Sequence, residues 1–293
     1  MTVHSFIQSA PPHIRDKETA SSLFWKTTAT LMLVWSSSVF FFKISALCIT
    51  VAVFLGAALS EAMARLLFKK KRAFADPSTI LYGLIFALIM PADLPFGAAV
   101  LGAWAGFFFG KEIFGGLGSF VFHPALAGRL FLGAVFPDFF DSARSAWLGA
   151  PLGLKTFDFL LGHTHGALGE TCGLVVITAG GILIAQKLIR SETALLYLGA
   201  IFILAPLLGT DSWHVLFSGR LLLLAFFVVT DPVTTPLTPS GEKAFSLAAA
   251  GLTVGLVKAG LGEAAYLAIL VLNFFVPWMD AWIKPSNLQA GRA

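Results

Sequence analysis

Residues 110–129 read Gly-Lys-Glu-Ile-Phe-Gly-Gly-Leu-Gly-Ser-Phe-Val-Phe-His-Pro-Ala-Leu-Ala-Gly-Arg. Gly110, Gly115, Gly116, Gly118 and Pro124 interrupt an otherwise apolar run. An unbroken membrane helix has no use for them. The stretch reads as a helix end, a tight glycine turn, and a re-entry that sets His123 and Pro124 at membrane depth. Non-helical backbone persists there only where protein or a polar cavity covers it.

Working outward, the rest of the chain is apolar on the same scale. Of 293 residues, 57% are hydrophobic and 12% charged, and the mean hydropathy is +0.84. A soluble domain carries about a quarter charged residues. The apolar runs reach the ~20 residues that one spanning helix needs. Composition therefore defines an integral, polytopic membrane protein. The net charge of +4 is no nucleic-acid footprint, because the basic residues cluster between apolar runs. No cleavable signal peptide is expected, since the first apolar run follows a polar arm. Cys48 and Cys172 stand in apolar surroundings without metal-ligand spacing, so no metal is expected.

Ten apolar runs are expected to span: about 24–42, 44–67, 78–92, 96–110, the run entered at 123 and ending near 136, then 171–189, 193–209, 214–230, 243–261 and 263–283. The chain divides into an N-terminal arm (1–22), a first set of five spans (23–136), a loop (137–170), a second set of five (171–283) and a polar tail (284–293). Ten spans put both termini on one side. Basic residues choose the side. Arg15, Lys17, the cluster at 69–72, Lys111, Lys187, Arg190, Lys243, Lys284 and Arg292 fall on the terminal side. Only Lys43, Arg144, Lys155 and Lys258 fall on the other. Both termini are therefore expected in the cytoplasm, and the 137–170 loop outside.

A weak five-span repeat runs through the chain. Met90-Pro91…Pro95 breaks the third run and Asp231-Pro232…Pro236 the eighth, while His123-Pro124 and Val276-Pro277 mark the fifth and tenth. Five is odd, so the halves are expected to be inverted, with broken helices meeting near the midplane. The expected fold class is thus an all-α membrane protein: ten transmembrane helices in two inverted five-helix repeats with broken helices.

Four groups of residues bear chemistry. Thr230-Asp231-Pro232-Val-Thr234-Thr235-Pro236 places an acid and hydroxyls at a helix end; it reads either as a polar binding site or as a capped, Pro-rich turn. His163-Thr-His165 and Glu170-Thr171 open the sixth run; an anion site at that helix start competes with simple capping by Glu170. Glu61, Arg129 and Arg220 lie within apolar runs, where charge is costly and marks an ion pathway unless it snorkels. Arg129 and Arg220 occupy comparable places in the two halves, which favours a shared interior. The many phenylalanines, including 40–42 and 107–109, read as lipid-facing or packing residues.

Taken in order, these motifs resemble the RnfD/NqrB family of membrane subunits, nearest RnfD. The resemblance runs almost end to end: Pro-His-Ile at 12–14, Gly-Gly-Leu-Gly…Phe-His-Pro-Ala at 115–125, Gly-Glu-Thr at 169–171, Thr-Asp-Pro-Val-Thr at 230–234, and Asn273…Pro277…Asp280. It implies a subunit of a complex that moves electrons between NADH and ferredoxin, or from NADH to quinone, coupled to Na+ or H+ transport. It implies other membrane subunits of that complex as partners, and residence in a bacterial inner membrane. It also implies an FMN joined by a phosphoester to a threonine of the outer loop, with riboflavin bound non-covalently in some members. The cofactor-binding candidates are then Ser145, Gly149, Ala150, Gly115, Gly116, His123, Thr230 and Asp231; the ion-pathway candidates are Asp231, Arg220, Arg129 and Glu61.

The chain departs from the family twice. The attachment motif there has a threonine between Ala and Pro, and here the loop reads Leu-Gly149-Ala150-Pro151-Leu152. A phosphoester needs a hydroxyl, so covalent FMN is expected to be absent and any FMN or riboflavin non-covalent. His123 stands where the family has asparagine and adds a titratable group. The missing threonine keeps two alternatives open: an inverted-repeat transporter or channel, and a flavin-free structural subunit.

Overall fold

The computed structural model describes residues 19–68, 76–116, 118–140, 160, 166–209 and 212–283. Among these residues the regular structure is helical, with one isolated β-bridge. In the first half α1 spans Ala20–Phe42, α2 Ile44–Phe68, α3 Pro77–Leu88, α4 Phe96–Phe107 and α5 Pro124–Val135. In the second, α6 spans Gly173–Ala185, α7 Ser191–Leu204, α8 Ser212–Leu216, α9 Gly219–Phe227, α10 Pro239–Lys258 and α11 Ala264–Trp282.

Three helical stretches, Ile44–Phe68, Ser191–Leu208 and Ala264–Trp282, are long and apolar enough to cross a membrane by length and composition. α3, α5 and α6 are apolar but shorter. At 1.5 Å per residue a twelve-residue helix is about 18 Å long, against a hydrocarbon core of about 30 Å. Large apolar side chains such as Phe40, Leu66 and Trp282 are more than three-quarters exposed, as lipid-facing residues are. This is an all-helical membrane protein.

Each apolar run of the sequence corresponds to helix, with two differences. The run at 214–230 is split at Ser218-Gly219 into α8 and α9. Gly219 rests directly on the backbone of Glu170, where an added Cβ would lie 1.9 Å from the carbonyl oxygen. And α11 is not broken at Pro277, which lies inside it. A proline there forfeits only one i→i−4 bond, the one to the Asn273 carbonyl, and the flanking turns hold the helix together.

The 110–129 stretch has the expected form. α4 widens into a π-turn, Phe108–Glu112, and the chain then turns through Gly115, Gly116 and Gly118 at φ of 115°, 89° and 81°. Side chains with a Cβ avoid that region. Irregular backbone continues to His123, which N-caps α5 with Pro124 in the first helical position. Pro is favoured there because its missing N–H would be unpaired in any case. The expected breaks after α3 and α9 are present as non-helical segments, 89–95 and 228–238.

The helices pack in two sets. α2 packs on α3 and α4, α4 on α5, and α1 on α3; α7 packs on α9 and α10, α10 on α11, and α6 on α9. The sets meet where α1 touches α6 and α5 touches α11. The end of the loop before α6 joins the first set. Leu168 and Gly169 donate backbone N–H bonds to Met90 and Leu88, 2.9 and 2.6 Å, and Ala167 bridges Pro91. The carbonyls freed at the end of α3 are thereby satisfied.

Candidate functional site

α3 carries one helix past three buried polar clusters, at Asp76 and Thr79, at Tyr82, and at Ile89. In a membrane interior each such group must find a partner in the protein.

The cluster at the start of α3 is a clamp. Asp76 N-caps the helix, accepting from Thr79 N–H at 3.0 Å. Lys111, fully buried on the π-turn, puts its ammonium 3.0 Å from Asp76 and 2.6 Å from Thr79 Oγ1. Thr79 Oγ1 also donates to Glu61 at 2.6 Å. Burial pushes the Asp76 carboxyl up, but Lys111, Ser78 and the Thr79 N–H outweigh it and hold the group below the usual carboxylate range.

The middle cluster joins the two helix sets. Tyr82 of α3 donates to Asp231 at 2.8 Å. Asp231, just past α9, also accepts from Thr234 N–H and Oγ1 at 2.9 and 2.8 Å and from Val233 N–H at 3.3 Å. The imidazole of His123 meets the Tyr82 ring edge-on, centroids 4.9 Å apart. With its amide turned so that oxygen faces the donor and nitrogen the acceptors, Asn273 accepts from the backbone N–H of His123 (3.1 Å) and donates to the carbonyls of Thr234 and Ile269. Neither ring nitrogen of His123 has a hydrogen-bond partner among the described residues, although the residue is fully buried.

The third cluster lies at the other end of α3. Arg129 forms a two-pronged pair with Glu263, 2.9 Å on each arm, and donates to the Ile89 carbonyl at 2.9 Å. Arg220 pairs with Glu170 at 3.1 Å. Tyr266 lies between them, 5.2 Å from one guanidinium and 5.3 Å from the other, and its hydroxyl donates to Glu170. Phe140 covers Arg129 at 3.9 Å. Two cations and two anions are thus balanced in a buried network.

Of the sequence candidates, Arg129 and Arg220 share one cluster, Asp231 and His123 share another through Tyr82, and Glu61 belongs to the clamp at the start of α3. Thr230 returns its hydroxyl to the Phe226 carbonyl. Gly115 and Gly116 form the turn after α4, with backbone bonds to Glu112 and Lys111. Ser145, Gly149 and Ala150 lie outside the described residues, as do His163 and His165. Glu170 does not cap α6, whose N-cap is Cys172; its carboxylate is turned to Arg220 and Tyr266 instead.

Sequence reasoning missed Tyr82, Tyr266, Lys111 and the pairing role of Glu263. One signal was available. The chain has 29 phenylalanines but three tyrosines, and Tyr82, Tyr197 and Tyr266 are all fully buried. A hydroxyl retained at such depth has a use.

Broken helices that meet across a seam of buried charges, in an apolar chain, define a helical membrane protein with a polar interior shared by two helix sets. The chain belongs to the NQR2, RnfD, RnfE family, whose model matches residues 7–289. It is 34% identical to a subunit of an ion-translocating oxidoreductase complex of Methanosarcina acetivorans, over 97% of both chains. It is 28% identical to a subunit of a proton-translocating ferredoxin:NAD(+) oxidoreductase complex of Clostridium ljungdahlii, over 98% of this chain and 97% of that one. A subunit of a Na(+)-translocating NADH-quinone reductase of Ectopseudomonas mendocina is 31% identical over 70% of this chain and 59% of its own length.

Proposed function

We propose that this chain is the RnfD-type membrane subunit of an ion-translocating electron-transfer complex, moving electrons between ferredoxin and NADH and coupling them to Na+ or H+ transport. The observation that carries the reading is the middle cluster. An acid on one broken helix, Asp231, is held by a phenol from the other helix set, Tyr82, beside a buried imidazole. Groups that bridge two helix sets at a break are where relative movement of the sets would change ion access.

The scaffold is ten spans in two inverted halves. Its support is a partial match in packing, with α1 to α5 set against α6, α7, α9, α10 and α11: α1·α3, α2·α3, α2·α4 and α4·α5 answer to α6·α9, α7·α9, α7·α10 and α10·α11. The main helix–helix contacts between the sets, α1 with α6 and α5 with α11, join corresponding helices, as a pseudo-twofold axis allows. The excess of basic residues on the terminal side supports cytoplasmic termini; a bacterial inner-membrane location is what the family resemblance implies. Arg129, Arg220 and Glu61 act in this reading by fixing the helix ends on either side of Asp231. Other membrane subunits of the complex are its partners.

The loop at 141–152 does not fit a covalent flavin. Gly149 and Ala150 have no hydroxyl to esterify, and Ser145 lies upstream of the position. Any FMN or riboflavin is, in this reading, held without a bond at that position. The same gap favours one second reading, a transporter on this scaffold without redox work.

Tagging the chain in its host tests both. The redox reading expects it to purify with other membrane subunits, and its deletion to abolish ferredoxin-driven NAD+ reduction in membranes. Purification alone, with that activity intact after deletion, overturns it. Acid precipitation of the purified chain is expected to leave any flavin in the supernatant; flavin fixed in the pellet overturns the non-covalent reading.

A further inference from the structure

We infer that the aromatic face shared by α11 and the segment leading into α5 is a protein interface, and that it receives a membrane-spanning helix of another subunit, one presenting small and hydroxyl-bearing side chains. The inference rests on the multi-subunit reading above and assigns the surface.

Depth comes first. α11 is one of the stretches long and apolar enough to cross the membrane, and Asn273 is its middle residue. Asn273 meets the backbone N–H of His123, and Phe122 stacks on Phe274 with centroids 6.5 Å apart and planes within 9°. Residues 120–123 therefore lie near the middle of the membrane, and they are not helical. Phe120 turns inward onto Tyr82, while Val121 and Phe122 are partly exposed. The backbone N–H and C=O groups of Phe120, Val121 and Phe122 make no hydrogen bond among the described residues.

An unpaired peptide group is costly in hydrocarbon, and irregular backbone does not face lipid there. Two covers satisfy it, protein or a water-filled cavity. The surrounding side chains decide between them. Phe114, Phe122, Phe274, Phe275 and Trp278 form an unbroken run of ring contacts beside the segment, with centroids 5.2 to 6.5 Å apart. Phe274 and Trp278 are more than half exposed. Rings of this kind do not line water. Rings alone would be ordinary lipid-facing residues, but rings beside unpaired peptide groups need protein over them, and aromatic side chains are the usual anchors of such contacts.

The peptide groups also state the partner's chemistry. They offer donors and acceptors side by side, and a serine or threonine hydroxyl answers both. Small residues let the partner's backbone come close between the rings. A second copy of this chain does not supply this. In a twofold pair the same patch meets itself. Val271, Phe274, Phe275 and Trp278, the exposed residues of this face of α11, carry no hydroxyl, so ring would meet ring and the peptide groups would stay unpaired.

The test replaces Phe275 with photoreactive benzoylphenylalanine in the tagged chain and irradiates host membranes holding the intact complex. The expected product is an adduct with another membrane subunit, mapped by peptide mass spectrometry to a spanning segment. Adducts only with a second copy of this chain, or only with lipid, while other subunits still co-purify, overturn the inference and leave the multi-subunit reading standing. A chain that purifies alone overturns both. Phe275→Ala with Trp278→Ala is expected to lower co-purification of that subunit about tenfold. The unfolding midpoint of the purified chain in detergent should stay at the parental value, because both rings lie on its outer surface. Undiminished co-purification, or a midpoint that falls with it, overturns the inference.

Discussion

Tyr82 and Asp231 lie 149 positions apart in sequence and meet at 2.8 Å, phenol to carboxylate, inside the bundle. The bond is buried at both ends and joins the helix sets at a point where α9 has just ended. It ties a helix of the first set directly to the break that follows α9 in the second.

Asp231→Asn replaces an acceptor ringed by donors with a group that is half donor. Its amide nitrogen would face either Tyr82 or the Thr234 N–H. The variant is expected to lose about 2 kcal/mol, the scale of leaving buried donors unsatisfied. Tyr82→Phe removes one of four donors and should lose about 1 kcal/mol. Thermal unfolding of the purified chain in detergent measures both; equal midpoints for the two variants would contradict the ordering.

Arg129→Met strands Glu263 and frees the Ile89 carbonyl. It should cost about 4 kcal/mol. Adding Glu263→Gln removes the stranded charge, so the double variant is expected to be more stable than Arg129→Met alone. A double variant whose losses simply add would show that the pair is not coupled.

Gly219→Ala forces a Cβ to within 1.9 Å of the Glu170 carbonyl oxygen, a contact with backbone that no rotamer relieves. The helix start must shift, at about 3 kcal/mol. Gly181→Ala meets nothing within 4 Å and should be silent. Comparing their yields of folded chain checks the packing of the loop end against α9.

Asp76→Asn removes the partner of a fully buried lysine. The folded carboxyl lies below its ordinary value, so its stabilisation is complete above the unfolded pKa of about 3.9 and lost as pH falls through the lower folded value. Wild type is therefore expected to exceed Asp76→Asn by about 3 kcal/mol at neutral pH. The gap should narrow only below about pH 4. A gap already closing near pH 6 would assign the effect to another group.

Much of this was legible in the chain because proline and glycine act locally. Pro91, Pro232 and the glycines at 115, 116 and 118 announce their breaks without reference to any neighbour. Pro277 does not, because a helix tolerates one proline when its surrounding turns are secured, and only tertiary packing decides that. The charges were visible, but their partners were not. Glu170 precedes a helix and looks like a cap, yet 50 positions separate it from Arg220, and no local rule spans that distance. The flavin-loop departure at 149–151 was legible for a simpler reason: a missing hydroxyl is a fact of sequence.

The π-turn at Phe108–Glu112 has a consequence for how this gene tolerates change. A π-turn is an α-helix with one residue too many, so its wide turn sets the angular phase of everything beyond it. Losing a single codon here would restore ordinary α-helix and swing Lys111 by about 100° around the axis, away from Asp76. Most membrane helices absorb a substitution more easily than a deletion. At this turn the contrast is sharpest, because the surplus residue is what aims the buried lysine at its acid.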